Sequence, residues 1–314
     1  MFAGRSASRQ RPRWAVLGAR AAAWGVLVGA SAFLVRAEVR EPGTPAGIIA
    51  YTEIVYRHDG GRAPRLDLYV PTDPIPTGGR PALIAIHGGG WCGGRKDGYG
   101  RLAAVFAQHG YVVAAIGYRL ATPKEPAWPA NLDDCRAAVR WVRRHAADYG
   151  IDPDRISALG ASAGGHLAAL LGTMPDGHDT RVAAVINFYG PTDLAAIVRQ
   201  SPAARLPVAR LLGADPDRNP GRTADGSPVT HVTGDDPPVL MFYGADDPTV
   251  RPDQGARLAS ALARAGVAHR LVIVPGVGHG FGFRVRRRDF VPEILAFLDE
   301  VWNHRAGLGR LCVP

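Results

Sequence analysis

Two glycine-rich turns and a few side chains concentrate the reactive chemistry of this 314-residue chain. Gly160-Ala161-Ser162-Ala163-Gly164-Gly165 follows an apolar run and sets a serine on a G-x-S-x-G strand-to-helix turn. His87-Gly88-Gly89-Gly90-Trp91 follows another apolar run and offers backbone N–H groups on a loop that can approach a ligand closely. Either motif alone is weak in a chain with 39 glycines. As an ordered pair, each after a strand-like segment, they point to acyl transfer onto a serine.

A serine hydroxyl is a poor nucleophile at neutral pH and needs a base, with a third group orienting that base. Both partners occur downstream of Ser162. Asp246 and Asp247 follow one apolar run, and His279 follows the last one, flanked by Gly278 and Gly280. The expected roles are Ser162 as nucleophile, His279 as general base and then acid, and Asp247 as orienter, with Asp246 as the rival carboxylate. Taken singly, the Asp-Asp-Pro could be turn chemistry and the histidine a loop residue. Order and context favour the catalytic reading. The oxyanion hole is expected from the N–H groups of Gly89, Gly90 and Ala163. Gly160 and Gly164 would let the elbow pack tightly, and the helix beginning there would aim its positive end at the oxyanion. His87, His166 and Asp134 read as structural, and no metal site or Walker-type phosphate loop is present in the sequence.

The elements that must hold these groups alternate between strand-like and helical patterns. Apolar runs at 49–56, 66–70, 82–86, 112–116, 156–159, 182–188, 239–243 and 271–274 predict eight strands, the first two an antiparallel hairpin. Residues 132–147, 252–265 and 290–301 predict the strongest helices, with Gly150 ending the first and Asp152-Pro153-Asp154 turning into the next strand. This pattern predicts an α/β fold, a mostly parallel sheet with helices on both faces. Residues 194–237 break the alternation as a Pro/Gly/Asp-rich insertion with one helical piece near 203–212. Such insertions often act as lids, so specificity is expected from it and from the segment after the leader.

The net charge of +9 raises nucleic acid as a partner. Six of those charges, Arg5, Arg9, Arg11, Arg13, Arg20 and Arg36, lie in residues 1–37, where no acid offsets them. The remainder is ordinary for an enzyme and removes the main support for nucleic acid, so no nucleic-acid partner is expected. The arginines flank an apolar run at 21–35 of signal-peptide length, followed by the small-x-small patterns Ala30-Ser31-Ala32 and Val35-Arg36-Ala37. Export with cleavage after Ala32 or Ala37 is expected; the alternative is an uncleaved anchor over 14–35. Either would put the catalytic domain outside the cytoplasm, with membrane attachment only through this segment. Cys92, Cys135 and Cys312 are too few for a disulfide scaffold and leave room for one bridge. The expected division is a leader at 1–37, a linker at 38–48, a catalytic domain at 49–305 and a tail at 306–314.

The chain is similar to the α/β-hydrolase superfamily, and within it to the hormone-sensitive-lipase-like enzymes and the bacterial carboxylesterases known as BD-FAE. The residues that carry the resemblance are His87–Trp91, Tyr118-Arg119-Leu120, Trp128-Pro129-Ala130 through Asp134, and Ala138-Val139-Arg140-Trp141. Asp152 through Ile156, Gly160–Gly165, Tyr189-Gly190-Pro191-Thr192-Asp193, Asp247 and His279 complete the set. Ala161 departs from it, because hormone-sensitive-lipase-like members carry an acidic residue before the serine. The resemblance implies an eight-stranded α/β-hydrolase fold, hydrolysis of carboxylic esters and no cofactor. The expected partner is a small-molecule ester, such as a short-acyl ester or an acetylated sugar. Amidase or peptidase chemistry of kynurenine-formamidase or prolyl-peptidase type is the alternative, followed by a non-catalytic binding homologue.

Overall fold

The computed structural model describes residues 46–58 and 63–309. The leader, most of the linker, Cys312 and residues 310–314 lie outside them. Eight strands form one sheet: β1 (Ile48–Val55), β2 (Arg65–Pro71), β3 (Arg80–Ile86), β4 (Val112–Ile116), β5 (Ile151–Ala161), β6 (Val185–Phe188), β7 (Val239–Gly244) and β8 (His269–Val274). Their spatial order is β1-β2-β4-β3-β5-β6-β7-β8. β1 and β2 pair antiparallel, β2 meets β4 antiparallel, and every later pairing is parallel.

Composition explains the difference between centre and edge. β4, β6 and β7 are buried at every position, as expected for parallel strands covered on both sides, and they read as unbroken apolar runs. β8 closes the far edge and is only partly buried. Helix α1 (Gly100–Gln108) connects β3 to β4, whereas α2 (Ala130–Arg144) carries the chain back past β3 to β5. Right-handed crossovers running in opposite directions place these helices on opposite faces. The reversal occurs beside β3 and β5, and ligands bind at such switch points, outside the carboxyl ends of the strands. The two glycine-rich turns leave the sheet at those ends.

All eight expected strands are present. Gly150, at φ 64°, ends a short 3-10 turn that follows α2 rather than α2 itself. The expected Asp152-Pro153-Asp154 turn lies inside β5 as a bulge: Arg80 pairs with Ile151, yet Ala82 pairs with Ile156. Asp154 N–H donates to Asp152 Oδ1 across it at 3.0 Å. The 194–237 segment is more helical than expected. It holds α4 (Leu194–Gln200), α5 (Pro202–Leu212) and α6 (Pro220–Asp225), the first capped by Asp193 accepting from Ala196 N–H. α3 (Ala163–Thr173) follows the elbow, α7 (Asp253–Ala265) joins β7 to β8, and a small hairpin, β9 (Arg284–Val285) with β10 (Arg288–Asp289), precedes α8 (Val291–Gly309). Beneath the hairpin, Phe188 stacks on Phe242 at 4.6 Å and meets Phe283 edge-on at 4.8 Å, fixing the chain that follows β8.

Candidate active site

Ser162 occupies a backbone conformation that side chains rarely adopt, φ 55° and ψ −121°, between β5 and α3. Strain of this kind persists only where the surroundings over-determine it. Here Ser162 N–H donates to Phe188 O at 2.9 Å, and Ser162 O accepts from His166 N–H at 3.0 Å. Close packing completes the constraint. A Cβ on Gly160 would stand 2.2 Å from Gly164 O, and one on Gly164 would stand 2.0 Å from Ile86 O. Both positions must be glycine for the serine to be held up at this edge.

His279 and Asp247 converge on it from the next strands. His279 Nε2 lies 3.0 Å from Ser162 Oγ, and its Nδ1 lies 2.7 Å from Asp247 Oδ2. The carboxylate fixes the tautomer: Nδ1–H donates to Asp247, leaving Nε2 to accept from the serine hydroxyl. Asp247 is buried, and its second oxygen accepts from the N–H groups of Thr249 at 2.8 Å and Val250 at 2.9 Å. A buried carboxylate without such partners would be costly. Asp246, the rival, is exposed, and its N–H donates to Val277 O. Geometry therefore selects Asp247.

The His87–Trp91 loop lies directly against the elbow. A Cβ on Gly88 would sit 2.8 Å from Ala161 O and 3.3 Å from Ser162 Cβ. Gly89, at φ 121°, adopts a conformation closed to other residues, and its carbonyl accepts from Gly93 and Cys92 N–H, folding the loop back on itself. The N–H groups of Gly89 and Gly90 have no protein acceptor among the described residues. Ala163, the first residue of α3, has an N–H that the helix itself leaves unpaired. Ala163 directly follows Ser162, and the loop that carries Gly89 and Gly90 meets the elbow through Gly88.

His166, His87 and Asp134 each make hydrogen bonds within the fold. Trp91 Nε1–H donates to Nδ1 of His166, whose Nε2–H donates to Gly226 O at 2.7 Å. Burial lowers the pKa of His166 to about 4, so the ring is neutral. His87 stacks on Tyr118 and is also shifted down by burial. Its Nδ1–H donates to Gly88 O at 2.8 Å, and Tyr118 O–H donates to His87 O at 2.9 Å. Asp134 is buried and accepts from both Arg57 and Arg119. Cys92 and Cys135 are free thiols.

A cavity of about 750 Å³ is walled by Tyr99, Phe106, Ala161, Tyr189 and Phe281, and reaches the chain neighbours of Ser162 and His279 at Ala161 and Gly280. No residue of the 194–237 insertion lines it. The insertion packs on the His87–Trp91 loop: a Cβ on Gly90 would lie 3.6 Å from Pro207 Cβ. Tyr189 lies outside the catalytic motifs and is among the residues that carry the family resemblance. It sits at φ 39°, meets the His279 ring edge-on at 4.8 Å and donates its hydroxyl to Phe281 O at 2.7 Å. A usable signal was the run of aromatics after His279, Phe281-Gly282-Phe283, in a segment too short for a strand of the main sheet.

Known proteins share this arrangement of sequence and fold. Residues 66–262 match the BD-FAE family. The probable carboxylic ester hydrolase LipM of Mycobacterium tuberculosis is 36% identical over 64% of this chain and 51% of its own. The ethyl acetate hydrolase of Pseudomonas putida is 34% identical over 71% of this chain and 72% of its own. Matches to three M. tuberculosis relatives, LipM, LipQ and LipC, span only half to two thirds of those proteins. Among solved structures, a truncated carbohydrate esterase from gut microbiota superposes with a TM-score of 0.70 at 28% identity, over 80% of this chain and 95% of that one. An esterase of Thermogutta terrifontis gives 0.66 at 30% identity, over 85% and 95%. The chain belongs to the BD-FAE family and has the α/β-hydrolase fold.

Proposed function

We propose that this protein is a serine carboxylic-ester hydrolase that works through an acyl-enzyme on small or short-acyl esters. The observation that carries this reading is the unbroken hydrogen-bonded chain Ser162–His279–Asp247. Ser162 Oγ attacks the ester carbonyl as its proton passes to His279 Nε2, and Asp247 stabilises the imidazolium that results. The carbonyl oxygen becomes an oxyanion facing the N–H groups of Gly89, Gly90 and Ala163, each worth about 3 kcal/mol of transition-state stabilisation. His279 then protonates the leaving alkoxide, and water repeats the sequence to release the acid. These steps need only side chains and backbone of this chain. The solved relatives include the T. terrifontis esterase phosphoramylated by tabun, which supports a reactive serine here.

The arginine-flanked apolar leader supports a further part of the proposal: the enzyme is exported or held at a membrane by that segment, with its catalytic domain outside the cytoplasm.

Turnover of p-nitrophenyl acetate and butyrate tests the catalytic reading. Wild type is expected to hydrolyse both and to be labelled by a fluorophosphonate, and Ser162→Ala to lose about a thousandfold or more of the rate. A wild type that neither turns over these esters nor takes the label refutes it.

A further inference from the structure

The cavity beside Ser162 has a direction as well as a volume, and the reaction supplies the reference frame. When the bond from Ser162 Oγ to the carbonyl carbon forms, the ester C–O bond breaks and the alkoxide takes its proton from His279 Nε2. The leaving oxygen must therefore lie on the His279 side, while the carbonyl oxygen faces Gly89, Gly90 and Ala163. The cavity is built from chain that flanks the base: Gly280 and Phe281 follow His279, and Tyr189 packs on its ring. Ala161 closes it behind the nucleophile, and α1 forms the far wall through Leu102, Val105 and Phe106. The insertion approaches from the other quarter, through Pro207 against Gly90.

The lining fixes the chemistry of the occupant. Ring faces and aliphatic carbon dominate, and the phenol that packs on His279 is already engaged. Tyr189 O–H donates to Phe281 O at 2.7 Å. The cations, Arg101 and Arg284, are exposed, and Arg284 is paired with Asp289 at 2.6 Å. A sugar entering this space would give up water for walls that return few hydrogen bonds, whereas an apolar ring gives up nothing.

We infer that this cavity is the leaving-group subsite and that it takes an apolar, ring-bearing alcohol of arylmethyl or alicyclic type, rather than a sugar. The inference rests on the ester-hydrolase reading. Its test keeps the acyl group constant. Ethyl, benzyl and naphthylmethyl acetates and acetylated glucose all pass through one acetyl-enzyme, so differences in kcat/KM, followed by acid release in a pH-stat, report the alcohol side alone. Naphthylmethyl acetate is expected to exceed ethyl acetate by about tenfold or more, with acetylated glucose no better than ethyl acetate. Val105→Trp should reduce that naphthylmethyl-to-ethyl ratio by about tenfold and leave the ranking of p-nitrophenyl acyl chain lengths as in wild type. Leu102→Phe makes the same test with a smaller intrusion, should thermal melting show Val105→Trp to be unfolded. A ratio unmoved by either variant, a preference for the acetylated sugar, or a shift in acyl-chain ranking instead would overturn the inference. Loss of all esterase activity and fluorophosphonate labelling in wild type would instead refute the hydrolase reading on which it stands.

Discussion

The indole of Trp91 donates to Nδ1 of His166 at 3.2 Å, and this bond joins the oxyanion loop to the helix that begins at the nucleophile. His166 passes the connection on to Gly226 at the end of α6, so loop, elbow helix and insertion share one buried imidazole. Both ring nitrogens are used, in the one tautomer that can satisfy both partners.

Trp91→Phe keeps an aromatic ring in the loop and removes the donor. It leaves His166 Nδ1 buried without a partner, which costs about 1 to 3 kcal/mol of stability. A loosened oxyanion loop acts on the transition state more than on bound substrate, so kcat should fall about tenfold with KM little changed. Urea unfolding and steady-state kinetics on p-nitrophenyl acetate measure the two effects.

The same histidine makes stability depend on pH. Burial holds its pKa near 4, against the ordinary 6.5 that the unfolded chain recovers. Between those values the unfolded state binds the extra proton, so stability is complete above about pH 6.5 and declines as pH falls towards 4. The contribution lost by pH 5 is about 2 kcal/mol. Urea midpoints at pH 7 and pH 5 should therefore differ more in wild type than in His166→Gln. Equal differences would show that His166 is not held neutral.

The choice between the adjacent carboxylates has a direct kinetic consequence. Asp247→Asn removes the charge that stabilises the imidazolium and lets the amide stabilise the wrong tautomer of His279, so kcat should fall by about three to four orders of magnitude. Asp246→Asn changes an exposed group outside the hydrogen-bonded chain and should leave kcat within about twofold of wild type. A larger loss at Asp246 would contradict the geometry.

Much of this site was legible in the sequence because its requirements are local. Ser162 and the glycines around it announce a turn that few sequences can adopt, and the order of Asp247 and His279 after successive strands restricts where they emerge. The choice of Asp247 over Asp246 was not local. It depends on which of two neighbours turns inward, and the bonds from Thr249 and Val250 that decide it arise only in the folded turn. The cavity was least legible, since its walls come from α1, β6 and the segment after His279, far apart in the chain. The 194–237 insertion looked like the specificity element because it broke the pattern. Its helices reach the His87–Trp91 loop through Pro207 beside Gly90, and the elbow helix through Gly226 and His166.

The elbow itself predicts a sharp contrast between two glycines. At Gly164 a methyl group would be driven to 2.0 Å from Ile86 O and 2.6 Å from His87 O, both backbone atoms at the carboxyl end of β3. Neither can move without shifting the loop that carries Gly89 and Gly90, so Gly164→Ala should destabilise the protein by about 4 kcal/mol or more and abolish turnover in whatever fraction folds. Gly221, within α6, has open space around its would-be Cβ. Gly221→Ala removes backbone freedom from the unfolded chain at no steric cost and should raise stability by about 0.5 to 1 kcal/mol. Thermal melting of the two variants beside wild type measures both. Similar melting temperatures for Gly164→Ala and wild type would show that the elbow can relax around a methyl group, and that the serine is less tightly constrained than the packing implies.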